Sequence, residues 1–369
     1  MKIIHTADLH LDSRMKTNLT GEQATLRRSE LLETFRHMVS YAADNGAEAV
    51  LISGDMFDRP VSKVIGMAKN LVMDVIIKNP DISFYYLKGN HDEGDLSLEF
   101  DRLPDNLYFF DKEWKDYRIG RRVVVSGAEL TGENNMTLFD SLALDATDIN
   151  IVMLHGNASR FGSDGDRDAI SLTELKNKSI DYLALGHIHK YDRQQLDGRG
   201  IYCYPGCLEP RGFDETGEHG FVMLNINEET GVITDTFIPF ATRQAYKCHA
   251  DVTGASSITE AIDMIDETFD EAGYTDADMV ELYIEGDVEV DCDIDEVYIA
   301  NRFKTRFFAF KCKKLTRVRI DYDAFTLDAS LKGEFVNLVR DASDISEDDK
   351  GAIIQLGISL LADPGALKN

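Results

Sequence analysis

Five short apolar runs in the first half of the chain each stop on an aspartate, asparagine or histidine. Lys2–Ala7 leads to Asp8-Leu9-His10, Ala47–Ser53 to Gly54-Asp55, and Ile82–Leu87 to Gly89-Asn90-His91-Asp92. Ile149–Leu154 leads to His155-Gly156, and Tyr182–Leu185 to Gly186-His187-Ile188-His189. Short apolar runs bounded by turn residues read as buried strands. Between the first three lie two helical patterns. Gln23–Asn45 carries Leu31, Phe35, Met38, Val39 and Ala42 at helical spacing, with Gly46 as its stop. Pro60–Lys78 has a proline near its first turn, where a missing N–H costs least. Strands alternating with helices predict an open α/β sheet, in which loops leaving the carboxyl ends of the strands converge on one rim. The polar pieces are therefore expected to meet.

The later pattern turns to Arg121–Val125 as a strand and then to hairpins. These are Gln194–Cys203 around Asp197-Gly198, and Phe221–Ile226 with Val232–Ile238 around Gly231. A β-α-β start and a β-rich finish predict a sheet sandwich of mixed strands flanked by helices over residues 1–241. Near Thr242 the character changes. Ile258–Ala272 is an amphipathic helix, and Met279–Ile284 and Phe307–Ile320 read as strands, which predicts a small α/β module over 242–320. The remainder, 321–369, is a helical C-terminal segment with patterns at Leu331–Arg340 and Glu347–Leu361, the latter starting from the cap candidate Ser346.

Composition bounds what such a chain can do. No apolar run approaches the roughly 18–20 residues that span a bilayer, and Met1-Lys2-Ile3-Ile4-His5 enters a strand pattern without a signal-peptide design. The five cysteines are odd in number and lack zinc-type spacing, so reduced thiols and a cytoplasmic location are expected. The net charge of −27 is unusual for a protein that holds nucleic acid. The imbalance is local, however. Asp251 to Glu296 holds 17 acidic residues and no Lys or Arg, and Arg302 to Arg319 holds eight basic residues and no acidic one. Phe303, Phe307, Phe308 and Phe310 interleave those cations, a mixture that either grips phosphates and stacks bases or forms a domain core beside neutralising charges.

Five of the nine histidines lie in the polar pieces. Each piece alone is common; the set supplies carboxylate, imidazole and amide donors for two divalent ions. Asp8, His10 and His189 would hold one ion, and Asn90, His155 and His187 the other, with Asp55 bridging cations ~3.5–4 Å apart. A bridging water, its pKa lowered towards ~7, becomes the nucleophile. His91 is spare in this count and placed to protonate the departing oxygen. In extended chain Asp8 and His10, like His187 and His189, project to the same side. Mixed imidazole and oxygen donors favour Mn²⁺, Fe²⁺ or Zn²⁺ over Mg²⁺.

In order, Asp-x-His, Gly-Asp-x-x-Asp, Gly-Asn-His-Asp, His-Gly and Gly-His-x-His resemble the calcineurin-like metallophosphoesterase superfamily over residues 1–240. The flanks His5–Asp12, Ser53–Asp58 and Tyr204–Glu215 are similar to SbcD-type DNA repair exonucleases, relatives of the nuclease subunit of the double-strand-break repair complex. That resemblance implies a four-layer αββα sandwich, a capping domain at 242–320, and Mn²⁺-dependent cleavage of DNA phosphodiesters. It further implies a homodimer working with an SbcC-like coiled-coil ATPase. The alternative is a phosphodiesterase for small nucleotides. Two departures stand out: Asp58 replaces a second catalytic His of the archaeal relatives, and Cys207 replaces an expected Ser. Cys207 is expected to be a small buried side chain, and Arg211 either a phosphate contact or a structural ion pair.

Overall fold

The computed structural model describes residues 1–15, 19–58, 66–92, 94, 96, 102–135, 137–159, 168–290 and 292–362. The chain divides into two compact units, Met1–Gln244 and Ala245–Asn369.

In the first unit two six-stranded sheets lie face to face. The first contains β1 (Lys2–Thr6), β2 (Ala49–Ser53), β3 (Ser83–Leu87) and β4 (Leu107–Phe109), all parallel. The second contains β5 (Lys115–Arg118), β6 (Val123–Gly127), β7 (Ile149–His155), β10 (Tyr182–Gly186), β11 (Asp192–Gln195) and β12 (Ile201–Tyr204). A small ladder of β8 (Asn157–Ser159) and β9 (Ala169–Ser171) stands apart, while β13 (Gly220–Asn227) and β14 (Val232–Pro239) return to complete the first sheet. Strand orders are β14-β13-β1-β2-β3-β4 and β11-β12-β10-β7-β6-β5. Because β13 runs antiparallel to β1, and β5 and β11 antiparallel to their neighbours, both sheets are mixed.

Alternation along each strand builds the layers. Ile3, Leu51 and Tyr85 point between the sheets, against Val125, Ile151, Met153 and Ala184. Their neighbours Ile4, Val50, Ile52 and Phe84 point outward under α1 (Gly21–Asp44) and α2 (Gly66–Lys78), meeting Phe35, Met38, Val39, Val72 and Ile76. On the far side Val152, Leu154, Leu183 and Leu185 are covered by α3 (Leu172–Leu175) and by Leu138, Phe139 and Leu142. The fourth layer is thus thinner than the first, which α1 and α2 form. Helix α1 begins two residues earlier than its apolar period, because Thr20 and Gln23 form a reciprocal capping box. The proline-led start expected for α2 lies outside the described residues.

The second unit pairs β15 (Ala245–Asp251), β16 (Met279–Glu285) and β18 (Ala309–Lys314) in parallel under α4 (Ile258–Ala272) and α5 (Glu296–Phe303). A ladder of β17 (Asp287–Glu289) and β19 (Arg317–Arg319), then α6 (Tyr322–Phe325), α7 (Leu331–Asp341) and α8 (Glu347–Ala362), complete it. Its core gathers Ile265, Phe269, Val280, Leu282, Phe303 and Phe307. Phe303 and Phe307 of the basic segment are therefore core, with Phe310 packed against it, and four of the segment's cations meet the acidic stretch. Arg306 pairs with Asp266 and Asp270, Lys311 and Lys313 with Glu281, and Lys314 with Asp293. Helix α5 bridges the end of the acidic run and the start of the basic one, a stretch for which the sequence reading named no element; the Asp295 side chain caps it by accepting from the Val297 and Tyr298 N–H groups.

Candidate dinuclear metal centre

The rim formed by the carboxyl ends of β1, β2, β3, β7 and β10 carries all seven expected donors. The loops are joined by backbone bonds: Asp8 N–H donates to Gly54 O (3.0 Å), His10 N–H to Asp55 O (3.0 Å) and Leu11 N–H to Met56 O (2.9 Å). The loop after β2 is in turn fixed by buried Asp92, whose carboxylate accepts from the N–H groups of Met56, Phe57 and Gly89. Glycine is required where these loops touch. A Cβ at Gly54, which has φ +91°, would lie 2.1 Å from His155 Nδ1, and one at Gly89 would lie 2.2 Å from Asp55 Oδ1.

The donors do not project from extended chain as the two-residue spacing suggested. Asp8 (φ 53°), His10 (φ 44°), Asp55 (φ 52°) and His187 (φ 106°) all have positive φ, which non-glycine residues rarely adopt. Each costs on the order of 1–3 kcal/mol and persists only because the surroundings over-determine it. That strain concentrates on four of the seven candidate donors.

Two groups of three donors result. Asp8, His10 and His189 form one, Asp8, Asp55 and His155 the other. His10 Nε2 lies 3.2 Å from His189 Nε2, and His189 Nε2 lies 4.0 Å from Asp8 Oδ1. Asp8 belongs to both groups, and Asp55 Oδ2 stands between their imidazoles, 3.8 Å from His10 Nε2 and 3.5 Å from His155 Nε2. Asn90 Oδ1 is 2.9 Å from His155 Nε2. The His187 ring stands with its centroid 5.4 Å from that of His155, outside both three-donor groups, and the His187 backbone N–H donates to both Asp8 oxygens (3.0 Å each). His91 is exposed at the edge; its N–H donates to Asp55 Oδ1 (3.0 Å) and its ring lies 5.4 Å, centroid to centroid, from that of His10.

The protons on the imidazoles decide whether cations fit here. His155 Nδ1 faces the Ser53 carbonyl at 2.9 Å, which can only accept, so Nδ1 carries the proton. His10 Nδ1 faces Asp58 (2.8 Å) and His189 Nδ1 faces Glu215 (2.7 Å), carboxylates both held ionised. Burial alone would raise Asp58, but bonding from His10 and the Arg211 charge hold it near 2. Glu215 is likewise held below the usual carboxylate range against its burial, by His189 and Arg211. With each Nδ1 so committed, the Nε2 lone pairs face one another and the oxygens of Asp8, Asp55 and Asn90. Acceptors crowded in this way need positive charge among them. Burial pushes Asp8 up to about 6, and the bond to Asp55 lifts His155 to about 9 despite the burial that opposes it. Divalent cations at these lone pairs supply that charge, and carboxylates or carbonyls behind the imidazoles are the support such ligands ordinarily have.

Sequence reasoning named the seven candidate donors and His91, and singled out Asp58 and Arg211, but not which group stands behind which imidazole. Glu215, Arg211 and Asp92 stood inside the stretches that carried the resemblance, yet nothing in their spacing marks which His each supports. Cys207 is fully buried, its Sγ 3.2 Å from His219 Nδ1.

A buried double-sheet rim crowded with imidazole and carboxylate donors defines a dinuclear metal hydrolase site. Residues 1–191 match the family model described as calcineurin-like phosphoesterase, and the chain belongs to that family of metal-dependent phosphoester hydrolases. It is 29% identical over 73% of its length to an uncharacterized metallophosphoesterase, YhaO, of Bacillus subtilis, covering 67% of that protein. It is 24% identical over 71% of its length to the DNA double-strand break repair protein Mre11 of Aeropyrum pernix, covering 66% of it. The Mre11 protein of Methanosarcina acetivorans is 22% identical over 65% of this chain, a match that spans 39% of that relative. Among the described residues no helix is long and apolar enough to cross a membrane.

Proposed function

We propose that the chain is a dinuclear-metal DNA nuclease of the SbcD and Mre11 kind, acting in repair. The observation that carries the chemistry is the Asp55 carboxylate standing between the His10 and His155 ring nitrogens. Similarity to proteins named for double-strand break repair supports the substrate. Asp8, His10 and His189 would hold one ion, Asn90, His155 and His187 the other, and Asp55 would serve both; Mn²⁺ suits the mixed donors. Bound metal supplies Lewis acidity and a low-pKa water. His91, exposed at the rim and tethered through its N–H to Asp55, protonates the departing oxygen. Residues 242–320 serve as the cap. Exposed Leu331, Leu338 and Leu356 on the terminal helices support docking of an SbcC-like coiled-coil ATPase to a cytoplasmic homodimer.

A second reading, hydrolysis of small phosphodiesters, is favoured by one observation: several cations of the basic segment are spent on acidic neighbours within their own unit. Mn²⁺-dependent digestion of duplex and single-stranded DNA ends, compared with bis-p-nitrophenyl phosphate and cyclic nucleotides, separates them. The nuclease reading expects DNA to be cut with the higher kcat/KM; preference for the small esters overturns it.

A further inference from the structure

The two halves of the donor cluster are supported differently. His10 and His189 each rest on a carboxylate, Asp58 at 2.8 Å and Glu215 at 2.7 Å, whereas His155 rests on the neutral Ser53 carbonyl at 2.9 Å. One side chain joins the two carboxylates. Arg211 donates from Nη1 to Asp58 Oδ1 (2.9 Å), and from Nη2 (3.0 Å) and Nε (3.2 Å) to Glu215 Oε1. Its backbone N–H donates to Glu215 Oε2 at 2.6 Å, so side chain and main chain grip the same carboxylate.

The segment carrying Arg211 is itself fixed. Buried Arg27 of α1 donates to Glu209 Oε2 and to Pro210 O, both at 2.8 Å, and Thr34 donates to Glu209 Oε1 at 2.7 Å. A guanidinium is planar and rigid, so a fork that bonds two carboxylates also sets the distance between them. Here it sets the distance between the supports of two imidazoles whose Nε2 atoms approach to 3.2 Å. The same bonds occupy three of the five guanidinium N–H donors, and the Arg211 side chain is only 21% exposed.

We propose that Arg211 is a positioning residue for one of the two metal ions. By tying Asp58 to Glu215 it fixes His10 and His189, so its loss weakens the Asp8–His10–His189 site and spares the Asn90–His155–His187 site. The inference rests on the metal reading of the donors given above, and the test separates the two.

Mn²⁺ binding is measured by equilibrium dialysis and electron paramagnetic resonance on the full chain, on Arg211→Met and on Arg211→Lys. The wild-type chain binds two equivalents as a spin-coupled pair. Both variants keep one equivalent at wild-type affinity and lose roughly 10- to 100-fold at the other, the usual cost of a lost outer partner. At one equivalent their signal is that of an isolated ion. Arg211→Lys is decisive because it keeps the charge and lacks the fork, and the retained first ion certifies the fold. Two equivalents at wild-type affinity in Arg211→Lys, with only KM for substrate raised, overturn the proposal and make Arg211 a phosphate contact. Equal weakening of both ions overturns it too. No binding by the wild-type chain sinks the metal reading itself.

Discussion

The two units handle charge in opposite ways. In Met1–Gln244, Asp8, His10, Asp55 and His155 are buried at one rim with like groups facing each other, the first three on backbone held at positive φ. In Ala245–Asn369 Arg306, Lys311 and Lys313 find acids across strands or helices, and the turns obey local rules: Ser257 caps α4, Asp295 caps α5, and Gly273 closes α4 at φ 71°. Local conformational rules are broken where chemistry requires it and kept where only a stable domain is needed. The concentration of violations therefore locates the site in the first unit as firmly as the donor types do.

That contrast can be broken or sharpened by substitution. The largest effect belongs to Asp55→Ala, which removes the oxygen between both donor groups; hydrolysis under saturating Mn²⁺ should fall by roughly 10⁴-fold. His91→Ala should lower kcat by about 10²- to 10³-fold while two Mn²⁺ equivalents still bind, because this residue serves as an acid and ligates neither ion. Loss of metal along with activity would reassign it.

A smaller effect concerns His5, buried between the sheets with Nδ1 2.9 Å from the Tyr182 hydroxyl. Burial lowers its pKa from 6.5 to about 3, against a weaker contribution from the Leu185 backbone. Below pH 6.5 the unfolded chain therefore binds a proton that the folded chain refuses. Its contribution to stability is present above about pH 6.5 and is lost as pH falls towards 3, at about 1.4 kcal/mol per pH unit. Denaturant melts of metal-free protein across that window should show a shallower slope for His5→Phe than for wild type. The smallest effect is expected in the second unit. Lys311→Ala with Lys313→Ala removes cations already engaged by Glu281, so DNA affinity at fixed salt should change less than about two-fold. A larger drop would give that sheet a share in substrate binding.

Much of this was legible in the sequence. Strands β1, β2, β3, β7 and β10 were marked by apolar runs, and their polar ends by residue type. Helix α4 was read at its observed bounds because its period and caps agree. What stayed hidden has physical causes. Strands β4 and β5 are short edge segments, the second largely exposed, and β15 alternates without a marked apolar run. Helix α5 is only eight residues long, two turns with little room for a period to show. At the site, ligand types announce themselves through spacing, but Arg211 and Glu215 reach His189 from a segment about 20 residues further on, and only the fold brings them there.

The central claim is that one carboxylate stands between two cations. Anomalous diffraction from crystals soaked in Mn²⁺ tests it directly. Two peaks ~3.5–4 Å apart, flanking the Asp55 carboxylate and lying against the Nε2 atoms of His10 and His155, are expected. A single peak remote from Asp55, or none at saturating Mn²⁺, would contradict the account.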